Sequence, residues 1–194
     1  MVDFGDGLAE RGRSLEEDYF RKKDRELVEK MKLSTAAQQA RDAIGQKTGL
    51  TDPAVLQELH ELGFTPDTIV LLPLIPVIEV AWSEGGITSA ERQLIATLAR
   101  SRGVAPGSAA DGQLEQWMAN RPAPAVFDRA GRLIAALLAS GSEQSIGGLT
   151  ASDLVAYCEK IASASGGILG IGKISSEERA LLSRIADDLK GRRG

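Results

Sequence analysis

The sequence predicts an all-α protein, and three observations carry that prediction. No segment alternates apolar and polar residues with the period of two that a half-buried strand requires. Apolar residues instead recur at helical spacing, as in Leu94, Ile95, Leu98 and Ala99 and again in Leu181, Leu182, Ile185 and Leu189. A helix-start motif also occurs twice: Gly85-Gly86-Ile87-Thr88-Ser89-Ala90-Glu91-Arg92 is echoed by Gly172-Lys173-Ile174-Ser175-Ser176-Glu177-Glu178-Arg179. Upstream of each lies an acid, Glu79 and Glu159. A repeat of this kind means that two related helix–loop–helix units share one core. The expected architecture is a compact helical bundle of two pseudo-symmetric halves, preceded by a long charged helix.

Residues 1–33 stand apart in composition: 17 of the 33 are Asp, Glu, Lys or Arg, and none is proline. The stretch from Leu8 to Leu33 predicts one long helix. Phe20, Leu27 and Met31 make a thin apolar stripe, and Leu8, Leu15 and Tyr19 make a second. Glu26 with Lys30 and Asp18 with Lys22 stand four apart as ion pairs. Such a helix buries too little to be a core helix by itself. It is an arm that either lies on its own body or docks elsewhere, with Tyr19, Phe20, Leu27 and Met31 as the candidate partner contacts. The same stripes could pair with the helix of a second copy.

Residues 34–66 predict two short helices. Ser34 or Thr35 caps the first, which ends near Lys47 ahead of Gly49. Thr51-Asp52-Pro53 opens the second with a capping side chain and a proline in the first turn, and Gly63 closes it. Residues 67–194 form the core. Thr65-Pro66-Asp67 starts a helix reaching about Ser83. Its Pro73 and Pro76 each remove an amide donor and clash with the preceding turn, which predicts a break near Leu72 with Pro73 opening the second segment. Thr88 with Glu91 is a capping box, and so is Ser175 with Glu178. Between them come a loop near 103–110, a helix from about Asp111 to Asn120, a proline-rich link at 121–124, a helix over about 125–139, a glycine-serine loop at 140–148, and a helix capped by Thr150 that reaches about Ser163.

Bulk composition narrows the function classes. Aromatic residues are only 4% of the chain, so aliphatic side chains must fill the core. A net charge of −4 argues against a general binder of nucleic acid or anionic membrane. One cysteine, Cys158, allows neither an internal disulfide framework nor a cysteine-rich zinc site, which suits a cytoplasmic location. The charged N-terminal residues do not read as a secretory signal. The longest apolar run, Thr68 to Trp82, is broken by two prolines and Glu79 and falls short of the ~20 residues of a membrane span.

The paired motifs resemble the TerB-like family, named for a tellurite-resistance protein. The resemblance rests on Ile78-Glu79-Val80-Ala81-Trp82-Ser83-Glu84-Gly85-Gly86-Ile87-Thr88 with Glu91 and Arg92, and it spans roughly residues 67–190. It implies a compact helical fold of two halves, a link to stress response, and acidic residues near the turns that bind a metal. Glu79, Glu84 and Glu91 match those acidic positions in the first half, and Glu159 and Glu178 in the second. The chain departs from the pattern where Glu84 replaces the turn aspartate, and again where Lys173 occupies the second turn. A weak divalent cation is the one cofactor the resemblance suggests.

Other motifs fall short of a chemistry. Glu84, Gly85, Ile87 and Glu91 fit late positions of a calcium loop, but Val80 and Trp82 stand where oxygen ligands are needed. Gly167 to Lys173 has phosphate-loop spacing, yet Ile174 replaces the magnesium-binding Ser or Thr and a helix precedes it. That apolar glycine loop, with Ile168, Leu169 and Ile171, is a second candidate contact for a partner. His60 lacks a nucleophile beside it in any motif, Cys158 reads as a core thiol, and Trp82 and Trp117 read as packing residues. The expected function is a non-enzymatic, cytoplasmic protein–protein interaction module of TerB-like type with no catalytic residues. The alternatives are a metal-binding stress protein and an inhibitor of an ATPase. The last rests on a distant resemblance of Phe20 and Asp24-Arg25-Glu26-Leu27 to the amino end of the zeta-type inhibitors of bacterial ATP synthase.

Overall fold

The computed structural model describes residues 5–165 and 176–190, with side chains of the first helix from Tyr19 onward and without those of Glu143, Ser145 and Ser165. Its α-helices are α1 (Gly5–Thr48), α2 (Pro53–Glu61), α3 (Ile75–Ala81), α4 (Ser89–Ser101), α5 (Ala109–Ala119), α6 (Pro124–Ala139), α7 (Ala151–Ser165) and α8 (Ser176–Leu189). Two 3-10 helices, Ile69–Leu74 and Glu143–Ile146, link them, and no strand occurs among the described residues. The all-α class read from the periodicity therefore holds.

The centre of the core is α3. Ile75, Pro76, Val77, Ile78, Val80 and Ala81 are buried, which leaves Glu79 as its one polar side chain. It packs against α4, α6, α7 and α8, and the preceding 3-10 helix brings in Ile69, Leu71, Leu72 and Leu74. A helix apolar on every side is stable only when surrounded. The break in this run falls after Leu74 rather than near Leu72. Pro73 sits inside the 3-10 helix, while Pro76 is the proline in the first turn of an α-helix, where its missing N–H has no partner to lose.

Capping chemistry sets the other boundaries. Thr88 donates both its N–H and its Oγ1–H to Glu91 Oε2 at 2.7 Å, and Glu91 N–H donates back to Thr88 Oγ1 at 3.3 Å. Thr150 and Asp153 make the same reciprocal pattern at the start of α7. Ser108 caps α5 by accepting from Asp111 N–H, so α5 begins two residues before Asp111. Ser175 lies outside the described residues, while its predicted partner Glu178 is buried at the start of α8.

The first helix departs most from expectation. It runs unbroken from Gly5 to Thr48, so no boundary separates an arm at 1–33 from a helix starting at Ser34 or Thr35. Both hydroxyls bond back to the Met31 carbonyl at 2.9 Å, which lets these residues continue a helix instead of capping one. The last turns of α1 join the body: Ile44 is fully buried and Arg41 Nη1 donates to Gln57 Oε1 on α2 at 2.7 Å. Further ties hold helix to helix. Arg129 on α6 reaches Glu58 at 3.2 Å and Glu61 at 2.9 Å on α2, and Trp82 Nε1 donates to the Trp117 carbonyl at 2.9 Å. The Trp117 ring stands edge-on to Phe64.

Candidate functional site

The exposed length of α1 is the first candidate. Every residue from Tyr19 to Ala36 is exposed, a stretch of about 27 Å at the helical rise. Tyr19, Phe20, Leu27, Val28, Met31 and Leu33 are between 49% and 64% exposed. Over residues 19–36 the described body does not cover this arm. At about 100° per residue, Leu27 and Met31 lie within roughly 20° of Phe20, and Val28 borders them. Lys23 and Lys30 flank this stripe on one side and Arg21 on the other, while Lys32 and Arg25 lie further round the helix. Glu26 and Glu29 fall behind, and Asp24 lies within the stripe. Residues 19–33 hold six bases against three acids, a local charge of +3 on a chain of −4. Lys23 also sits over the Tyr19 ring at 5.8 Å and 3.6 Å from Glu26. Val28 extends the candidate contact face that the sequence assigned to Tyr19, Phe20, Leu27 and Met31, whereas Leu33, also exposed, lies about 140° round the helix from Phe20. The remaining contact candidates, Ile168, Leu169 and Ile171, lie outside the described residues, as does the phosphate-loop-like stretch.

The acidic positions fall into two settings. Glu79 projects from α3 and is bonded by Arg184 of α8, which also approaches Asp128 of α6 at 3.6 Å. Burial raises the Glu79 carboxyl above its ordinary range against the pull of Arg184. Glu91 is 2% exposed and Glu178 1% exposed. Burial pushes the Glu91 carboxyl up, its bonds from Thr88 oppose that, and the negative fields of Glu178 and Glu84 add to it. Glu84 itself is exposed in the turn after α3. Glu91 thus faces Glu178 and Glu84, whereas Glu79 faces Arg184. Among the described residues no three His, Cys, Asp or Glu side chains stand together as ligands for a metal ion.

The single-residue candidates have structural surroundings. Cys158 is fully buried in α7, and burial, with Glu79 adding to it, pushes its thiol up to about 12. That removes the thiolate needed for nucleophilic chemistry. His60 is half-buried near the end of α2. No helix among the described residues is long and apolar enough to cross a membrane. Comparison of the chain with protein-family models, with curated proteins and with solved structures gives no match.

Proposed function

We propose that this chain is a non-enzymatic protein–protein interaction module of TerB-like type, and that α1 is its working part. The observation that carries the reading is the uncovered stretch from Tyr19 to Ala36, which holds six large apolar side chains in water. Exposed apolar residues are ordinary when scattered, but a stripe bordered by three bases is a docking face. Its complement is an apolar groove edged by acids. The test replaces Phe20, Leu27 and Met31 together with serine in the full chain and compares the proteins captured by each form. The expected result is loss of the specific partner at unchanged melting temperature, because these side chains touch nothing in the body. Equal capture by both forms would remove the arm from the reading.

A second reading, a divalent-cation site, is favoured by Glu91 and Glu178 being buried within each other's field. A cation between them would oppose the mutual repulsion of two carboxylates. Calcium or manganese should then raise the melting temperature of the native chain and not of Glu91→Gln. A flat response in both proteins would end this reading.

A further inference from the structure

We infer that the cleft where the last turn of α1 meets the 3-10 helix Ile69–Leu74, the end of α4 and the 3-10 helix Glu143–Ile146 binds a small carboxylate with an apolar body. The cavity is about 200 Å³; Lys47 and Arg102 supply its cations, and Ile69, Val70, Pro73 and Ile146 its apolar walls.

Arg102 is held in place by the loop, and Lys47 stands exposed beside it at the cleft. Arg102 Nη2 donates to the carbonyls of Ile146 at 3.2 Å and Gly147 at 2.8 Å, which fixes the guanidinium against the loop. Its Nε is buried without an acceptor, and Nη1 donates to no described protein group. Among the residues whose side chains are described, no carboxylate lies within ion-pair distance of Arg102 or Lys47. Four other arginines joining parts of this body are answered by acids, Arg92 by Glu115, Arg100 by Asp111, Arg129 by Glu58 and Glu61, and Arg184 by Glu79, while Arg41 donates to the side-chain amides of Gln57 and Gln38. Asp153 feels the charge of Arg102, but its carboxylate is engaged by Thr150 at the start of α7. On an acidic chain, two cations beside one cleft that no described side-chain carboxylate pairs with make the cleft a candidate seat for an anion from outside.

The loop is shaped to seat the guanidinium. Gly147 has φ +76°, and a Cβ there would stand 2.0 Å from Arg102 Nη2, so a larger residue would displace the arginine. The walls decide the ligand class. Free phosphate finds no use for four apolar side chains, whereas a carboxylate with a small hydrocarbon body satisfies both halves. The planar guanidinium and a carboxylate are matched in shape. A dry cavity of about 150 Å³ holds benzene, so about 200 Å³ accommodates an aromatic ring with one carboxylate attached.

The test is an amide NMR titration of the full chain with benzoate, inorganic phosphate and benzyl alcohol. The expected result is saturable benzoate shifts at Val70, Arg102 and Gly147. Binding should weaken about tenfold or more in Lys47→Met and in Arg102→Met, the scale of a lost charged hydrogen bond. Lys47 is exposed, so its variant keeps the test decisive if Arg102→Met unfolds. Benzyl alcohol should bind far more weakly than benzoate. Absence of saturable shifts, unchanged affinity in Lys47→Met, or phosphate binding as tightly as benzoate at the same amides would each overturn the assignment.

Discussion

Glu91 does two things that oppose each other. As the N3 residue of the Thr88 capping box it accepts the bonds that start α4, a role that an amide can also fill but that favours the carboxylate. As a buried acid near Glu178 and Glu84 it disfavours its own charge. A carboxyl whose folded pKa is raised binds its proton more tightly in the folded state, so its ionisation costs stability above the folded pKa. That cost disappears as pH falls below the ordinary value of about 4.3. Glu91→Gln keeps the cap and removes the charge, and should melt higher than the native chain at pH 7, with the difference shrinking towards zero near pH 4. Glu91→Ala loses the cap and should lose about 1 kcal/mol, or roughly 2–4 °C. Asp111 and Asp153 work in the opposite direction. Hydrogen bonds from Gly107 and Arg100 to the first, and from Thr150 to the second, hold these carboxyls low, so their contribution is lost as pH falls through the folded values. A Glu91→Gln protein that melts lower at pH 7 would mean that the charge is matched by something beyond Thr88.

At the scale of elements, what could be read from the sequence was whatever is set locally. The starts of α2, α4 and α7 follow from Asp52, Thr88 and Thr150, because a cap and its first turn lie within four residues. The same local reading failed at Ser34 and Thr35. A hydroxyl that can cap a helix can equally bond back to a carbonyl within one, and Ala36-Ala37 downstream favours continuation. It also misplaced the break in the Ile69–Ala81 run, since a proline inside a 3-10 helix and one in the first turn of an α-helix look alike in sequence. The exposed face of α1 was legible as stripes, but its exposure was not, because that depends on what the body fails to cover. The pairing of Glu91 with Glu178 and the meeting of Lys47 with Arg102 were beyond local reading for a different reason. Each joins residues far apart in the chain that only the packing around α3 brings near each other.

At the scale of the whole molecule, the arm and the body make different demands. The body gathers its apolar residues around α3 and needs nothing from residues 19–36, all of which are exposed. A 44-residue helix is about 66 Å long, whereas a compact chain of 194 residues has a radius of gyration of about 16 Å. An isolated helix is only marginally stable in water, so the uncovered stretch can fray in solution. Small-angle X-ray scattering of the isolated chain should therefore give a radius of gyration clearly above about 16 Å at low concentration, whether the arm stands as a helix or frays. The value should be the same for the Phe20, Leu27 and Met31 triple serine variant if the stripe touches nothing in the body. A native value near 16 Å that rises in the variant would mean that the stripe folds back onto the body. The docking face would then be covered in the resting molecule, and a partner would have to compete for it rather than find it open.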